Sequence, residues 1–214
     1  VNGSHPMDDI LERRKNMRQR VVYIHGKGGS AAEAEHYQPL FPECEVLGFE
    51  YQAGTPWEAK EEFPVFFDDC RKTSDSIIVI ANSIGAFLTM SALSEEDIDR
   101  AFLISPIVDM KKLIQDMMVW AKVTEADLQR EGEIRTAFGE TLSWKYLCYV
   151  RQNPITWNVK TSILYGEKDT MTSFSGIQTF ADRIKADLTV MPNGEHWFHT
   201  EEQLRFLDTW IRTC

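Results

Sequence analysis

The sequence predicts an α/β fold: a doubly wound, mostly parallel sheet of about six strands with helices on both faces. Short apolar, β-branched segments alternate with stretches of helical periodicity, which is the order expected when helices connect parallel strands. These segments are apolar at nearly every position, as in strands that are buried on both faces. The length of 214 residues and the hydrophobic content of 43% suit a single globular domain of this kind.

Six segments are predicted as strands, each a run of apolar and β-branched residues. The third is the most strongly apolar of the six. The predicted strands are Val21–Ile24, Val46–Phe49, Ile77–Ile80, Ala101–Ile104, Ser162–Tyr165 and Leu188–Met191.

Helices are predicted in the gaps between these strands. Thr55-Pro56-Trp57-Glu58 is a capping box with proline at the first helical position, and it opens a helix that runs toward Lys72. Pro64 is expected to kink this helix. The later predicted helices are Ile84–Leu93, Ser175–Lys185 and Glu201–Arg212.

Residues 110–158 interrupt the alternation, because no segment there reads as a strand. Methionine, leucine and isoleucine recur at helical spacing from Met110 to Met117, Thr124 can cap a second helix, and a third is predicted over 141–152. We therefore expect an all-helical insertion between the fourth and fifth strands. An insertion at this point lies above the carboxyl ends of the strands, where ligands bind, so it is predicted to form a lid. Its predicted substrate contacts are Met117, Met118 and Trp120.

Charge and cysteine content limit the classes of partner. Asp and Glu number 33 against 23 Lys and Arg, and a net charge of -10 repels polyanions, so we expect no nucleic-acid partner. The four cysteines form no CxxC pair, which favours a reduced, cytoplasmic setting. Residues 76–94 carry no charge, but Asn82, Ser83 and Gly85 make them a poor membrane span.

The N-terminal residues show no apolar segment after their charges, so no secretory signal is predicted. Residues 1–6 are interpreted as an expression scar, with Met7 as the natural start. Residues 7–214 are then expected to form one domain, and the oligomeric state stays open.

Ala81-Asn82-Ser83-Ile84-Gly85 lies where the third strand ends and a helix begins. A sharp turn at this point strains the backbone of its central residue and needs small residues two positions to either side. Ala81 and Gly85 meet that requirement. The turn is expected to lift the Ser83 hydroxyl above the edge of the sheet, at the N-terminus of the following helix.

This segment resembles the nucleophile elbow of the α/β-hydrolase family, usually written G-x-S-x-G, with Ala81 in place of the first glycine. Upstream, His25-Gly26-Lys27-Gly28-Gly29 resembles the family's oxyanion segment. Downstream, Gly166-Glu167-Lys168-Asp169 resembles its acid turn, and Asn193-Gly194-Glu195-His196 resembles its histidine loop. The order Ser, Asp, His is that of the family. The resemblance extends from Arg20 onward and implies a minimal α/β-hydrolase fold that starts at the family's third strand.

The resemblance also implies a role for each residue. Ser83 would be the nucleophile, His196 the base that takes its proton, and Asp169 the acid that holds the histidine tautomer. The backbone N–H groups of Lys27 and Ile84 would bind the oxyanion. No metal and no cofactor are expected, because the two neighbouring histidines lack a third ligand at plausible spacing.

Three of these positions have alternatives in the sequence. Asp109 follows the fourth strand, where some family members carry their acid, and His199 lies three residues after His196 at the start of the last helix. His25 is expected to shape the oxyanion segment without reacting. The alternatives are Asp109 for Asp169, His199 for His196 and Gly28 for Lys27.

The implied function is that of a serine hydrolase that cleaves a small carboxylic ester through an acyl-enzyme intermediate. Its expected partner is a small-molecule acyl substrate. The same triad would serve an acyl thioesterase or an amidase or peptidase. An acyl-CoA thioesterase needs basic residues for the nucleotide phosphates, and only the cluster from Arg13 to Arg20 offers them. A non-catalytic binding protein on this fold is the alternative from another class.

Overall fold

The computed structural model describes residues 18–214, and its eight strands include the six that the sequence predicts. Residues 1–6, which were interpreted as an expression scar, and most of the basic cluster from Arg13 to Arg20 lie outside this range. The strands are β1 (Gln19–Ile24), β2 (Glu45–Gly48), β3 (Ser76–Asn82), β4 (Arg100–Ile104), β5 (Glu133–Arg135), β6 (Thr141–Ser143), β7 (Lys160–Gly166) and β8 (Asp187–Met191).

Helices connect these strands. The helices are α1 (Pro56–Thr73), α2 (Ile84–Ala92), α3 (Met110–Ala121), α4 (Glu125–Glu131), α5 (Trp144–Gln152), α6 (Phe174–Ile184) and α7 (Glu201–Thr213). The Thr55 hydroxyl caps α1 by accepting from the Glu58 N–H at 3.4 Å, and the helix continues past Pro64 to Thr73. A 3-10 segment over Ala31–Leu40, which the sequence analysis did not predict, joins β1 to β2.

Six strands form one parallel sheet in the order β2-β1-β3-β4-β7-β8, which confirms the predicted fold class. Val21 of β1 pairs with Val46 on one side and with Ile78 on the other. The chain therefore builds outward in one direction from β1 to β2 and in the other from β3 onward. This reversal leaves a crevice at the carboxyl ends of β1 and β3, where ligands bind in sheets of this type.

Successive side chains of the central strands enter two separate cores. Ile77 and Val79 of β3 pack in the same core as Phe63 and Phe67 of α1. Ile78 and Ile80 of β3 face the opposite core, which also holds Tyr37 of the 3-10 segment and Leu207 and Trp210 of α7. Burial on both faces explains why these strands are apolar at every position.

The insertion between β4 and β7 is not all-helical, and that prediction was wrong. β5 and β6 form an antiparallel hairpin in which Ile134 pairs with Leu142, and α5 begins at Trp144, not at residue 141. The Thr136 N–H donates to the Glu140 carbonyl at 2.8 Å, and Gly139 takes a φ of 90° in the turn. Strands of three residues are too short to show alternation in a sequence.

The four cysteines are all free thiols. Every helix within residues 18–214 is too short or too polar to cross a lipid bilayer.

Candidate active site

Ser83 occupies the sharp turn between β3 and α2, with φ 51° and ψ -117°. A positive φ strains a residue that has a Cβ, and such strain is retained only where the surrounding structure enforces it. Here the Ser83 N–H donates to the Ile104 carbonyl at 3.0 Å, and the Ser83 carbonyl accepts from the Ile107 N–H at 3.3 Å. The turn is therefore fixed by the end of β4.

Close backbone packing explains the glycines around this turn. A Cβ at Gly85 would lie 2.3 Å from the His25 carbonyl oxygen and 2.9 Å from that of Ile24, so no side chain fits. A Cβ at Gly26 would lie 3.3 Å from the Ser83 Cβ. The glycines thus bring the end of β1 directly against the nucleophile turn.

The structure brings Ser83, His196 and Asp169 into one hydrogen-bonded series. The Ser83 hydroxyl donates to His196 Nε2 at 2.8 Å, and His196 Nδ1 donates to Asp169 Oδ2 at 2.7 Å. The His196 side chain is 16% exposed, and that of Asp169 is fully buried. A base within hydrogen-bond reach of a hydroxyl, itself oriented by a carboxylate, is the arrangement that activates a serine.

Asp169 is held in its ionised form. Burial by itself would raise the pKa of this carboxyl, but the hydrogen bond and charge of His196 and the Thr172 and Met171 N–H groups together lower the pKa below its ordinary value. The N–H groups of Met171 and Thr172 donate to Oδ1 at 2.8 and 3.1 Å, and the Thr172 hydroxyl donates to Oδ2 at 3.1 Å. The carboxylate can therefore stabilise a positive charge that develops on His196.

The loops that carry the acid and the histidine are hydrogen-bonded to each other. The Lys168 N–H donates to the Gly194 carbonyl at 2.7 Å, and the Asn193 N–H donates to Glu167 Oε2 at 2.8 Å. A Cβ at Gly166 would lie 2.4 Å from the Glu195 carbonyl oxygen, so glycine permits this approach. These contacts fix the relative positions of Asp169 and His196.

The two predicted oxyanion donors belong to segments that adjoin Ser83, because Ile84 follows it directly and Lys27 follows Gly26, which packs on the Ser83 Cβ. Ile84 begins α2, and Lys27 lies in the turn closed by the Gly29 N–H and the Gly26 carbonyl at 3.1 Å. Within residues 18–214, neither the Lys27 nor the Ile84 N–H donates to another group of the chain. That these two N–H groups bind an oxyanion stays a prediction. Gly28, the alternative to Lys27, takes φ 77°, which the turn requires.

The alternative catalytic residues have other partners. Asp109 caps α3 by accepting from the Lys112 N–H at 2.9 Å. His199 donates from Nδ1 to the Trp197 carbonyl at 2.8 Å and stacks on the Trp197 ring at 4.4 Å. His25 donates from Nδ1 to the Gly26 carbonyl at 2.8 Å and stacks on Tyr51, at the base of the oxyanion turn.

The three predicted substrate contacts of the insertion differ in their environment. Met118 is 5% exposed and belongs to the core, so it packs the domain and does not line an open surface. Met117 is partly buried against the same core. Trp120 is 56% exposed and lines a groove beside the Asp169 loop. A methionine in the third turn of an amphipathic helix has the same sequence signal in a core as in a pocket.

Two sets of contacts at the site were not predicted from the sequence. Thr172 holds Asp169, and its position three residues after an aspartate is a pattern that could have indicated this turn. Lys27 Nζ contacts Glu140 Oε1 of the β5–β6 hairpin at 2.5 Å. The two residues are 113 positions apart in the chain, so no local signal indicates this contact.

No protein-family model matches the chain, and no curated protein matches its sequence. Several solved structures are similar to the chain in fold. Est1E from Butyrivibrio proteoclasticus is similar with a TM-score of 0.77 at 16% identity, over 94% of this chain and 88% of Est1E. Alpha/beta hydrolase domain-containing protein 10 from mouse is similar with a TM-score of 0.74 at 14% identity, over 100% of this chain and 90% of the mouse protein. The esterase Pf2001 from Pyrococcus furiosus is similar with a TM-score of 0.56 at 19% identity, over 92% of this chain and 83% of Pf2001.

These similarities and the strand order together show that the chain has an α/β-hydrolase fold. The resemblance expected from the four motifs is thereby confirmed at the level of the fold. At 14–19% identity these similarities show the fold, and the substrate depends on the site itself.

Proposed function

We propose that this chain is a serine hydrolase that cleaves small carboxylic esters. The observation that carries the proposal is the unbroken series from the Ser83 hydroxyl through His196 to the buried Asp169 carboxylate. Esterases and hydrolases among the structurally similar proteins support the same reaction class.

The reaction would proceed in two halves. In the first, Ser83 Oγ attacks the ester carbonyl carbon while His196 Nε2 takes the hydroxyl proton, and the oxyanion binds to the Lys27 and Ile84 N–H groups. The tetrahedral intermediate then collapses, the bond to the alcohol oxygen breaks, and His196 delivers its proton to that oxygen. In the second half, water attacks the acyl-serine, its proton goes to His196 and then to Ser83 Oγ, and the carboxylic acid leaves.

The same groups would serve a thioester or an amide, because only the leaving atom differs. A panel of p-nitrophenyl esters, matched thioesters and anilides separates these alternatives. We expect ester turnover to exceed amide turnover, and a preference for thioesters would identify an acyl thioesterase instead.

A fluorophosphonate probe tests the nucleophile. We expect one adduct per chain, located on Ser83 by mass spectrometry, together with turnover of p-nitrophenyl acetate. The Ser83→Ala variant should lose the adduct and on the order of 10⁶ in kcat. Ser91→Ala is the matched control, because the Ser91 hydroxyl donates to the Phe87 carbonyl within α2 and lies outside the triad.

An adduct on another residue, or full turnover by a folded Ser83→Ala variant, would show that a different nucleophile acts. Absence of both adduct and turnover in the unaltered chain would favour the binding-protein alternative.

A further inference from the structure

One glutamate carboxylate joins the central sheet to the loop over residues 26–30, which carries the predicted oxyanion donor Lys27. The Tyr23 hydroxyl, near the end of β1, donates to Glu33 Oε2 at 2.5 Å. The other carboxylate oxygen, Glu33 Oε1, accepts from the Ser30 N–H at 3.2 Å. Glu33 therefore bridges a strand of the sheet and the last residue of this loop.

Tyr23 is a fixed anchor for this carboxylate. It is 1% exposed and packs in the same core as Ile80 of β3, with which it pairs in the sheet. Its ring also lies 5.0 Å from that of Tyr37 in the 3-10 segment. A buried hydroxyl without a partner costs free energy, and Glu33 supplies the partner. Because a carboxylate accepts this bond, it is charge-assisted and holds the Glu33 side chain in one position.

The same carboxylate packs directly against the loop. A Cβ at Gly29 would lie 2.7 Å from Glu33 Oε1 and 3.1 Å from the His25 Cβ, so a side chain there would displace the carboxylate. The Gly29 N–H donates to the Gly26 carbonyl at 3.1 Å and closes the turn that contains Lys27. Three of the five loop residues are glycines, which have the greatest backbone freedom. The conformation of the loop therefore depends on contacts with residues outside it.

Tyr23 also lies beside Asn82, the residue that precedes the nucleophile. Ile80 of β3 faces the core that contains Tyr23, and side chains alternate along a strand, so Asn82 lies on the same face. Burial raises the pKa of the Tyr23 phenol, and the Asn82 amide opposes that rise, as a donor group that faces the phenol oxygen does. A Cβ at Gly26 would lie 3.8 Å from the Asn82 Cγ. Tyr23 is therefore close to both the loop and the nucleophile turn.

From these contacts we infer that Glu33 and Tyr23 are positioning residues, which hold the loop over residues 26–30 so that the Lys27 N–H meets the oxyanion formed at Ser83. The inference rests on the proposed function. A donor that is fixed before the reaction stabilises the developing charge without a cost of reorganisation. Its contribution is made in the transition state, so it appears in kcat and not in KM.

Glu33→Ala tests the inference with p-nitrophenyl acetate as substrate. Complete loss of an oxyanion donor costs about 10²–10³ in kcat, and a loosened donor loses part of that, so kcat should fall about tenfold while KM changes less than about twofold. An alkyl trifluoromethyl ketone forms an adduct with the serine that carries the oxyanion, so its inhibition constant should rise by the same factor. Glu33→Gln keeps an acceptor oxygen and should bring kcat to within about threefold of the unaltered chain.

A double-mutant cycle tests whether the two residues act together. Tyr23→Phe removes only the hydroxyl that holds Glu33, and it should lower kcat about threefold. Tyr23→Phe combined with Glu33→Ala should lower kcat no further than Glu33→Ala by itself, because both changes break the same bond. Losses that multiply in the double variant would overturn the shared role.

Glu35→Ala is the matched control, because Glu35 is an exposed glutamate two residues further along the same 3-10 segment. It should leave kcat and the inhibition constant unchanged. Thermal unfolding shows that each variant is folded. A folded Glu33→Ala variant with unaltered kcat and inhibition constant would overturn the inference, and so would a change in KM alone. If the unaltered chain hydrolyses no ester and takes no fluorophosphonate, the proposed function itself fails.

Discussion

Asp169 and Asp109 both follow parallel strands at the same edge of the sheet, yet only Asp169 accepts from His196. Asp169→Asn should therefore lower kcat about 10⁴-fold while the fold is kept, because an amide no longer favours the required histidine tautomer. Asp109→Asn is the same chemical change at a helix cap and should leave kcat nearly unaltered. Steady-state kinetics on p-nitrophenyl acetate measure both. A larger loss of kcat in Asp109→Asn than in Asp169→Asn would show that Asp109 is the acid of the triad.

The lowered pKa of Asp169 also has a consequence for stability at acid pH. A carboxyl whose pKa is lower in the folded than in the unfolded chain stabilises the fold above the unfolded pKa of about 3.9, and this contribution is lost as the pH falls through the folded pKa. The free energy of unfolding should therefore fall more steeply between pH 6 and pH 3 in the unaltered chain than in Asp169→Asn. Urea titrations of both proteins at pH 6 and at pH 3 measure these free energies. An equal decrease in the two proteins would contradict the prediction.

The nucleophile turn depends on the contact between two elements, the start of α2 and the end of β1. Gly85→Ala should destabilise the protein by about 3 kcal/mol, which lowers Tm by roughly 6–12 °C, because the new Cβ meets backbone oxygens that cannot move aside. Gly54→Ala is the control, since its Cβ would meet only the Glu58 carboxylate at 3.7 Å. Thermal unfolding followed by circular dichroism compares them. Equal Tm values for the two variants would mean that α2 shifts without cost.

Elements differ in how strongly their own sequence specifies them. α7 has its apolar residues on one face and a capping box at Thr200, so its bounds were predicted to within a residue. The β5–β6 hairpin has three residues in each strand and depends on one buried side chain, Leu142. Its strands form because Leu142 packs in the core and the Thr136–Glu140 turn closes, and neither contact has a periodic pattern.

At the scale of the whole molecule, both cores share the strands of one sheet, so the faces should unfold together. Trp210 packs edge to face on Phe102 with centroids 5.5 Å apart and covers the face that α7 closes. Trp210→Ala should therefore cost about 3–5 kcal/mol in the free energy of unfolding and keep a single transition. Trp120→Ala, the same change at an exposed position, should cost far less. Urea unfolding followed by circular dichroism and by fluorescence measures both, and two separate transitions would show independent cores.

The sequence by itself determined the parallel sheet and the four motifs, because continuous apolar strands and the small residues of sharp turns are local properties. It also placed Ser83, Asp169 and His196 in an order that one sheet edge can bring together. Only the tertiary structure decided that Asp169 and not Asp109 meets His196, that Met118 is core while Trp120 is exposed, and that a groove adjoins the acid loop. Those outcomes depend on contacts between residues far apart in the chain, and the strand order that creates such contacts leaves no periodic trace in the sequence.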